Sequence, residues 1–463
     1  MTGIPAGAPK PAYGTYSLVF HSFKSLISLL HGRLIRTLGF AQGASSALWT
    51  FPSVLGSAII IAWAAEAAQF LISQGLALAM LAWLQTLPEF AVEAVIAWQA
   101  GEVTRVTSDP NQIVHATSLV SANLTGSLRL LVGLGWPMVY ATAAFFNRKK
   151  TGQPLREVKL EDEHAVEVVF LLICIGYFFI VWIRGTLGLG DSIFLSLIYF
   201  AYLFFLKKIP PQSEEKLEDI KGVPRFILRR KRPVRNGMIA ALFLLGGVLL
   251  YVAAPPFLES LKALAAGLGI STFVFVQWVA PFLSEFPEKV SAFNWARRVS
   301  AAPMALMNLV SSNINQWTML AAMLPLAYAI SLGHSANIVF DSHQRLEILL
   351  TISQSLLGAL LLANMRFSWG EAALLFALFL TQFIMSGFEQ QLYPVPATSN
   401  MAAAVAGWLS VRVNSIEAVA HRAKEIVTLI YFLWSAILAV IFLARRKGLE
   451  ALSVFPRLMR EHW

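Results

Sequence analysis

Two segments of the chain combine acidic side chains with a proline inside apolar sequence. The segment Ser284 to Glu288 (SEFPE) lies within the apolar run 268–293, and the segment Gln85 to Glu89 (QTLPE) lies within the run 75–100. An acid at the centre of a membrane costs roughly 2.5–3.5 kcal/mol on insertion scales, so such residues usually face a protein interior or a wet cavity. Carboxylates and carbonyl oxygens freed by a proline suit a hard cation. The two segments therefore predict one cation site built from two broken helices.

The composition is that of a helical membrane protein. Hydrophobic residues make up 57% of the 463 residues, charged residues only 13%, and the mean hydropathy is +0.63. The 36 Lys and Arg exceed the 26 Asp and Glu, but they lie mainly in loops between apolar runs, which argues against nucleic-acid binding. The single Cys174 gives neither a disulfide nor a thiolate metal site. No HExxH or Gly-x-Ser-x-Gly motif is present, so the sequence does not predict an enzyme.

The apolar runs divide the chain into two similar halves. Five runs precede a basic linker, at 54–73, 75–100, 113–145, 164–184 and 189–206; five follow it, at 237–256, 268–293, 299–330, 346–365 and 370–387; an eleventh lies at 426–443. If each half crosses the membrane an odd number of times, the second half has the opposite orientation in the membrane to the first. The predicted fold is an all-α polytopic membrane protein with two inverted repeats of five transmembrane helices and an extra C-terminal transmembrane helix.

The predicted domains follow from these runs. They are an N-terminal tail and interfacial amphipathic helix at 1–45, a first five-helix repeat at 46–206, a basic linker at 207–236, a second repeat at 237–387, and a C-terminal extension at 388–463. In the N-terminal segment, bases interrupt the apolar residues of 15–37, which favours a helix on the membrane surface. A crossing helix there stays open as an alternative.

The distribution of bases predicts the orientation in the membrane. The linker 207–236 carries ten Lys and Arg. If it is cytoplasmic, the inside segments hold 23 bases and the outside loops hold seven, as the positive-inside rule expects. The sequence therefore predicts an integral protein of the plasma or inner membrane whose cytoplasmic linker contacts anionic lipid.

A second pair of segments follows the two acidic ones. Residues 309–314 (LVSSNI) align without a gap on residues 119–124 (LVSANL). Each half therefore has a broken acidic helix followed by a helix with a Ser/Asn-rich segment. Glu89 and Ala122 are 33 residues apart, whereas Glu288 and Ser312 are 24 apart, which places nine extra residues in the first inter-helix loop.

These residues resemble the cation/calcium exchanger superfamily, sodium/calcium exchangers in particular. The repeats of that family each carry Thr-Ser-x-Pro-Glu and, on the next helix, Gly-Asn-x-x-Gly-Ser-Asn-Ile. The resemblance covers both predicted repeats, and its motif-level specificity lies in the four short segments. It implies that Glu89 and Glu288 ligate the transported metal ion directly and that no cofactor is needed.

The chain also departs from the family pattern. Thr86 and Glu285 replace the serine before x-Pro-Glu, so one repeat keeps a hydroxyl and the other gains a charge. Ala122 replaces the serine of Gly-Ser-Asn in the first repeat. Four residues later, Gly126 and Gln316 stand where family members often carry Asn or Asp ligands.

The predicted site combines these positions. Its cation-binding residues are Glu89, Glu288, Glu285, Thr86, Ser284, Asn123, Ser312, Asn313 and Gln316. Glu93, Arg129 and Lys289 are predicted to balance charge or couple ions. If ionised, the four acids and two bases leave two negative charges, which suits one divalent cation, two monovalent cations, or protons on two acids.

The predicted function is secondary active antiport of Ca²⁺, or a similar hard cation, for Na⁺ or H⁺ by alternating access. The first spans of the two repeats, 54–73 and 237–256, would slide past the core. The alternative is an exchanger-fold protein whose site is occupied by Arg129, acting as a non-transporting scaffold or sensor or moving another ion. Other open alternatives are a structural role for Glu89 and Glu288, a Glu93–Arg129 ion pair, and helix-to-helix hydrogen bonds by Asn123 and Asn313. The sequence does not determine the oligomeric state.

Overall fold

A computed structural model describes residues 43–71, 74–209, 220, 222–387, 413–445 and 448–462. The described chain is almost entirely helical, which confirms the all-α prediction. Eight of its helices are long and apolar enough to cross a membrane, and the bent pair Ala79–Gln85 and Leu87–Val106 would make a ninth. The helix predicted at 15–37 lies outside the described residues.

The first half begins with a short 3₁₀ turn, Gly43–Ser46, and contains seven helices and two short strands. The helices are α1 (Ala47–Ala68), α2 (Gln74–Gln85), α3 (Leu87–Val106), α4 (Pro110–Leu130), α5 (Trp136–Thr151), α6 (Ala165–Arg184) and α7 (Leu189–Lys208). The strands are β1 (Glu157–Lys159), before α6, and β2 (Thr186–Leu187), between α6 and α7. A π-helical turn, Leu131–Gly135, joins α4 to α5 without interrupting the rod.

The second half repeats this order after a short helix α8 (Gly222–Leu228). Its helices are α9 (Arg232–Leu268), α10 (Thr272–Ser284), α11 (Phe286–Ala296), α12 (Ala302–Asn315), α13 (Ala321–Leu332), α14 (Ser342–Leu362) and α15 (Trp369–Ser386). The strands are β3 (Ile338–Val339) and β4 (Arg366–Ser368), and a second π turn, Gln316–Leu320, joins α12 to α13. Two further helices follow, α16 (Val413–Arg445) and α17 (Glu450–His462).

Two small sheets show how the halves are related. Strand β1, before the fourth span of the first half, pairs with β4, after the fourth span of the second half. Strand β2, after the fourth span of the first half, pairs with β3, before that of the second. Helix α6 therefore begins at the end of the molecule where α14 ends. The two halves are thus oppositely oriented, as the odd number of apolar runs predicts.

Both acidic helices are broken next to their prolines. Helix α2 ends at Gln85 and α3 begins at Leu87, with a bend of 48° between them. Helix α10 ends at Ser284 and α11 begins at Phe286. Pro88 and Pro287 stand in the first turn of the following helix, where the missing N–H is tolerated but the helix before them loses a donor.

The first spans of the two halves pack against each other along their length. Helix α1 presents a surface of buried alanines to α9. At Gly246 a Cβ would lie 2.6 Å from the side-chain atom Cγ1 of Ile61 and 3.2 Å from the backbone oxygen of Ser57, whereas Gly247 has no atom within 4 Å of such a position. Gly246 therefore lies in the contact between the two helices, whereas Gly247 faces open space.

Candidate functional site

Each broken helix packs against the Ser/Asn-rich helix of the other half. Helix α10 contacts α4, and helix α2 contacts α12. This crossing brings the predicted site residues from all four helices into the interior. The side chains of all nine predicted cation-binding residues are no more than 1% exposed: Glu89, Glu288, Glu285, Thr86, Ser284, Asn123, Ser312, Asn313 and Gln316.

Glu89 and Glu285 form the centre of the site. The Gln316 amide nitrogen donates to Glu89 Oε2 at 2.8 Å and to Glu285 Oε1 at 2.9 Å. The Ser127 hydroxyl lies between the same carboxylates, 2.8 Å from Glu285 Oε1 and in closer contact with Glu89 Oε1. One hydroxyl proton serves only one acceptor, so the remaining carboxylate oxygens keep lone pairs for another ligand. The crossing therefore places one carboxylate from each half side by side.

Glu288 completes a three-carboxylate centre. It is fully buried, interacts electrostatically with Glu285 and Glu89, and faces the Ser312 hydroxyl. Neither of its carboxylate oxygens has a hydrogen-bond partner among the described residues. Buried carboxylate oxygens are normally paired or coordinate a metal. Glu288 is therefore the carboxylate of this centre with the most free coordinating capacity.

Lys289 neutralises part of this charge. Its ammonium donates to Glu285 Oε2, one helical turn away on the same helix. The three carboxylates and this one ammonium leave two negative charges if all are ionised.

Three predicted residues form hydrogen bonds within or between helices and have none to the carboxylates among the described residues. The Asn313 amide donates to the Leu128 carbonyl at 3.3 Å, and the Ser284 hydroxyl donates to the Ala280 carbonyl at 3.1 Å. Thr86 accepts from the Asn315 amide at 2.5 Å, at the break between α2 and α3. For Asn313 the geometry favours the structural alternative, a hydrogen bond between helices.

Arg129 lies elsewhere, which corrects its predicted place in the charge balance of the cation site. Its guanidinium forms an ion pair with Glu347 at 2.5 Å and donates through Nε to the Thr125 carbonyl at 3.0 Å. It also lies over the Trp278 ring, 4.9 Å from the centroid. Arg129 points to the side of α4 occupied by α14 and α10, away from Glu89. Because Arg129 pairs with Glu347, the geometry does not support the alternative in which Arg129 occupies the cation site. It also does not support an ion pair between Glu93 and Arg129.

Glu347 and Lys424 are buried charges that sequence reasoning missed. The Lys424 ammonium on α16 lies 2.5 Å from Glu347 Oε1, and the Gln277 amide donates to Glu347 Oε2 at 2.9 Å. Both charged side chains have 0% exposure. Each lies at the edge of an apolar run, where a charged side chain usually sits at the membrane surface. The apolar runs alone therefore did not indicate that these two charges are buried.

Ser127 and Asn315 were also missed. Ser127 follows Asn123 by four residues and so lies on the same face of α4, which was a usable signal. Asn315 lies outside the six-residue segment that aligns between the halves, so the repeat comparison did not reach it.

Gly126 allows α4 and α10 to approach. A Cβ at this position would lie 1.8 Å from the Gln277 backbone oxygen and 2.7 Å from its carbonyl carbon. Backbone atoms cannot rotate away, so the helices would have to separate next to the Ser127 and Gln316 contacts. The departure of Gly126 from the family pattern therefore has a packing reason.

We expect Gly126→Ala to destabilise the protein by about 3 kcal/mol, the upper end of overpacking costs. Thermal unfolding of the purified protein measures the effect. Gly176→Ala on α6 is the matched control, because no atom lies within 4 Å of the added Cβ. Equal melting temperatures for the two variants would contradict the close approach.

Comparisons with known proteins match both halves of the chain. Residues 44–208 and 238–388 match the family model described as sodium/calcium exchanger protein. The crystal structure of the H⁺/Ca²⁺ exchanger CAX is similar over 96% of this chain and 98% of its own, with 27% identity and a TM-score of 0.75. The structure of native YfkE is similar in fold, over 79% of this chain and 99% of its own, with 16% identity and a TM-score of 0.54. No curated protein sequence matches the chain.

Proposed function

This chain belongs to the sodium/calcium exchanger protein family, and we propose that it exchanges Ca²⁺, or a similar hard cation, for H⁺ or Na⁺ across a membrane. The family consists of cation antiporters, and the apolar helices make the chain an integral membrane protein. The transported ion, its counter-ion and the membrane are the proposed parts.

The observation that carries the proposal is the meeting of Glu89, Glu285 and Glu288 at the crossing of two broken helices. Ca²⁺ takes six to eight oxygen ligands at about 2.3–2.6 Å, with carboxylates prominent among them. Among the described residues, the side chains that interact with these three acids are Ser127, Ser312, Gln316 and Lys289, and none of them is a His or a Cys. Carboxylate and hydroxyl oxygens without His or Cys favour a hard cation over zinc or copper.

The charge of the centre supports a divalent cation. With Lys289 paired to Glu285, two negative charges remain for Glu89 and Glu288. One Ca²⁺ neutralises them, and so do two protons or two Na⁺ ions. Competition between these occupants for the same carboxylates is sufficient for exchange, because the empty, doubly negative site is costly in a low-dielectric interior.

Protons are the favoured counter-ion. Glu89 and Glu288 share the site with a third carboxylate, Glu285, where the family pattern has a serine, and the solved exchanger with 27% identity is an H⁺/Ca²⁺ exchanger. Crowded carboxylates in a low dielectric hold protons more readily than isolated ones. Proton release would then accompany cation entry.

The α1/α9 pair is the proposed moving part. Its alanine-rich contact surface and the close approach at Gly246 allow the two helices to slide past the core as a unit. In this scheme the site opens to each face in turn. The linker 207–236 is proposed to lie on the cytoplasmic side, against anionic lipid.

Cation-dependent thermal stability tests the proposal. A ligand that binds only the folded state stabilises it by about 2.7 kcal/mol at 100 times its dissociation constant. We expect Ca²⁺ to raise the melting temperature of the purified protein, and lower pH to weaken that effect because protons compete. A native chain without response to Ca²⁺ or Na⁺, and a response that appears in Arg129→Asn, would contradict the proposal in favour of a plugged site.

A further inference from the structure

A cavity of about 790 Å³ opens beside the central site, between helices α3, α4 and α9. It lies at the end of α3 and the start of α4, beside Leu258 and Lys262 of α9. Its inner walls are formed by Ile96, Ala100 and Val103 of α3 and by Gln112, Ala116 and Leu119 of α4.

The cavity walls continue directly to the central carboxylates. On α3, residues 89, 93, 96, 100 and 103 recur at helical spacing and occupy one face. On α4, residues 112, 116, 119, 123 and 127 do the same. The two helices are antiparallel neighbours, so Glu89 lies opposite Ser127 and Glu93 opposite Asn123. Glu93 and Asn123 therefore stand one helical turn, about 6 Å, outward from Glu89 and Ser127, between them and the cavity.

Glu93 and Asn123 are both buried and interact with each other. Their side chains are 0% and 1% exposed, and they face each other. No carboxylate oxygen of Glu93 and no amide atom of Asn123 has a hydrogen-bond partner of normal geometry among the described residues. Buried polar groups are normally satisfied, and a group that is not satisfied calls for a specific explanation. A carboxylate and an amide oxygen at the inner end of a cavity are suitable ligands for a hard cation.

The second repeat has no such pair. Ala292 occupies the position equivalent to Glu93, and Asn313, the equivalent of Asn123, donates to the Leu128 carbonyl. The feature therefore belongs to one face of the transporter only. A purely structural pair of the fold would not need to differ between the repeats.

Several charged groups lie at the mouth of the cavity, outward from the buried Glu93. Lys262 is paired with Glu259 at 3.0 Å and also donates to Gln99. Asp109 caps the first turn of α4 by accepting from the Asn111 backbone N–H. Lys262 and Glu259 offset each other, whereas the hydrogen bonds of Asp109 leave its negative charge in place, so the mouth also attracts a cation.

We propose that Glu93 and Asn123 form a second cation site, occupied by Ca²⁺ or a similar hard cation on its way between the cavity and the central carboxylates. The inference rests on the proposed function, because it takes the transported cation as its ligand. The proposal adds a second cation-binding site on one face of the protein, which ion exchange at the central carboxylates does not by itself require.

Calorimetric titration of the purified full-length protein with Ca²⁺ tests this site. We expect two classes of binding in the native chain, the second about tenfold weaker or more because it has one carboxylate. The Glu89→Gln/Glu288→Gln variant, in which Lys289 neutralises Glu285, should keep only the weaker class. Adding Glu93→Gln to that variant should abolish it, and adding Glu102→Gln, on the same helix outside the cavity lining, should not.

The outcomes separate this inference from the proposed function. If the native chain binds Ca²⁺ and the Glu89→Gln/Glu288→Gln variant binds none, the proposal of a second site is overturned. The proposal of the central site is then unaffected. Absence of binding to the native chain overturns both. Where the double variant does not purify as a folded protein, single Glu93→Gln decides: loss of one bound Ca²⁺ per chain with the tighter class unchanged supports the site, and unchanged stoichiometry overturns it.

Discussion

Glu89→Gln is expected to reduce Ca²⁺ exchange in proteoliposomes by more than about 100-fold. The substitution keeps the size of the side chain and removes one charge from a centre in which Gln316 and Ser127 hold Glu89 beside Glu285. Removing one partner of a buried charge pair costs about 3–5 kcal/mol, which exceeds about 100-fold in affinity. The effect is measured as the initial rate of ⁴⁵Ca²⁺ uptake driven by an outward-directed proton gradient.

The control for this experiment is Glu102→Gln, which removes a carboxylate from the same helix two turns beyond Glu93 and away from the centre. It is expected to transport at nearly the native rate. Glu288→Gln should match the loss of Glu89→Gln, because the two carboxylates share the charge of the bound ion. Near-native uptake by either central variant would refute the ligand assignment.

Glu347→Gln is expected to cause the largest loss of stability. Glu347 is the only described acid that pairs with both Arg129 and Lys424, two buried bases, each at 2.5 Å. Without it two cations stay buried in the membrane interior with no opposite charge. Breaking a buried ion pair from one side costs about 3–5 kcal/mol, and the thermal midpoint of the protein in detergent should fall accordingly.

Lys424→Met is the matched comparison, because Glu347 then still has Arg129 as its partner. Its loss of stability should be clearly smaller than that of Glu347→Gln. Combining the two substitutions should recover part of the stability that Glu347→Gln loses, since only one unpaired cation remains. A Lys424→Met variant less stable than Glu347→Gln would show that the triad is not organised around the acid.

The class of fold and the central acids could be predicted from the sequence. Long apolar runs define crossing helices, and a proline beside an acid within such a run is unusual enough to mark a break. The repeated segments 119–124 and 309–314 identified the next helix in each half. These signals depend on local spacing, and the structure brings Glu89, Glu285 and Glu288 together as that spacing predicts.

The assignment of charge partners could not be predicted in this way. Arg129 lies three residues from Gly126 on the same helix, but its partner Glu347 is 218 residues away. Which face of α4 meets α14, and which meets α3, depends on how the repeats cross, and helical spacing does not encode it. The same reason explains why Ser127, rather than Asn123, lies against Glu89.

Anomalous X-ray diffraction from crystals of the protein grown with Sr²⁺, a heavier congener of Ca²⁺, is the most direct test of the central claim. The proposed site predicts a strong peak bounded by the carboxylates of Glu89 and Glu288, with Ca²⁺-like oxygen distances, and its loss in Glu288→Gln. A protein that exchanges Ca²⁺ but shows no peak at this crossing, or shows its main peak elsewhere in the bundle, would contradict the claim that the two broken helices hold the transported ion.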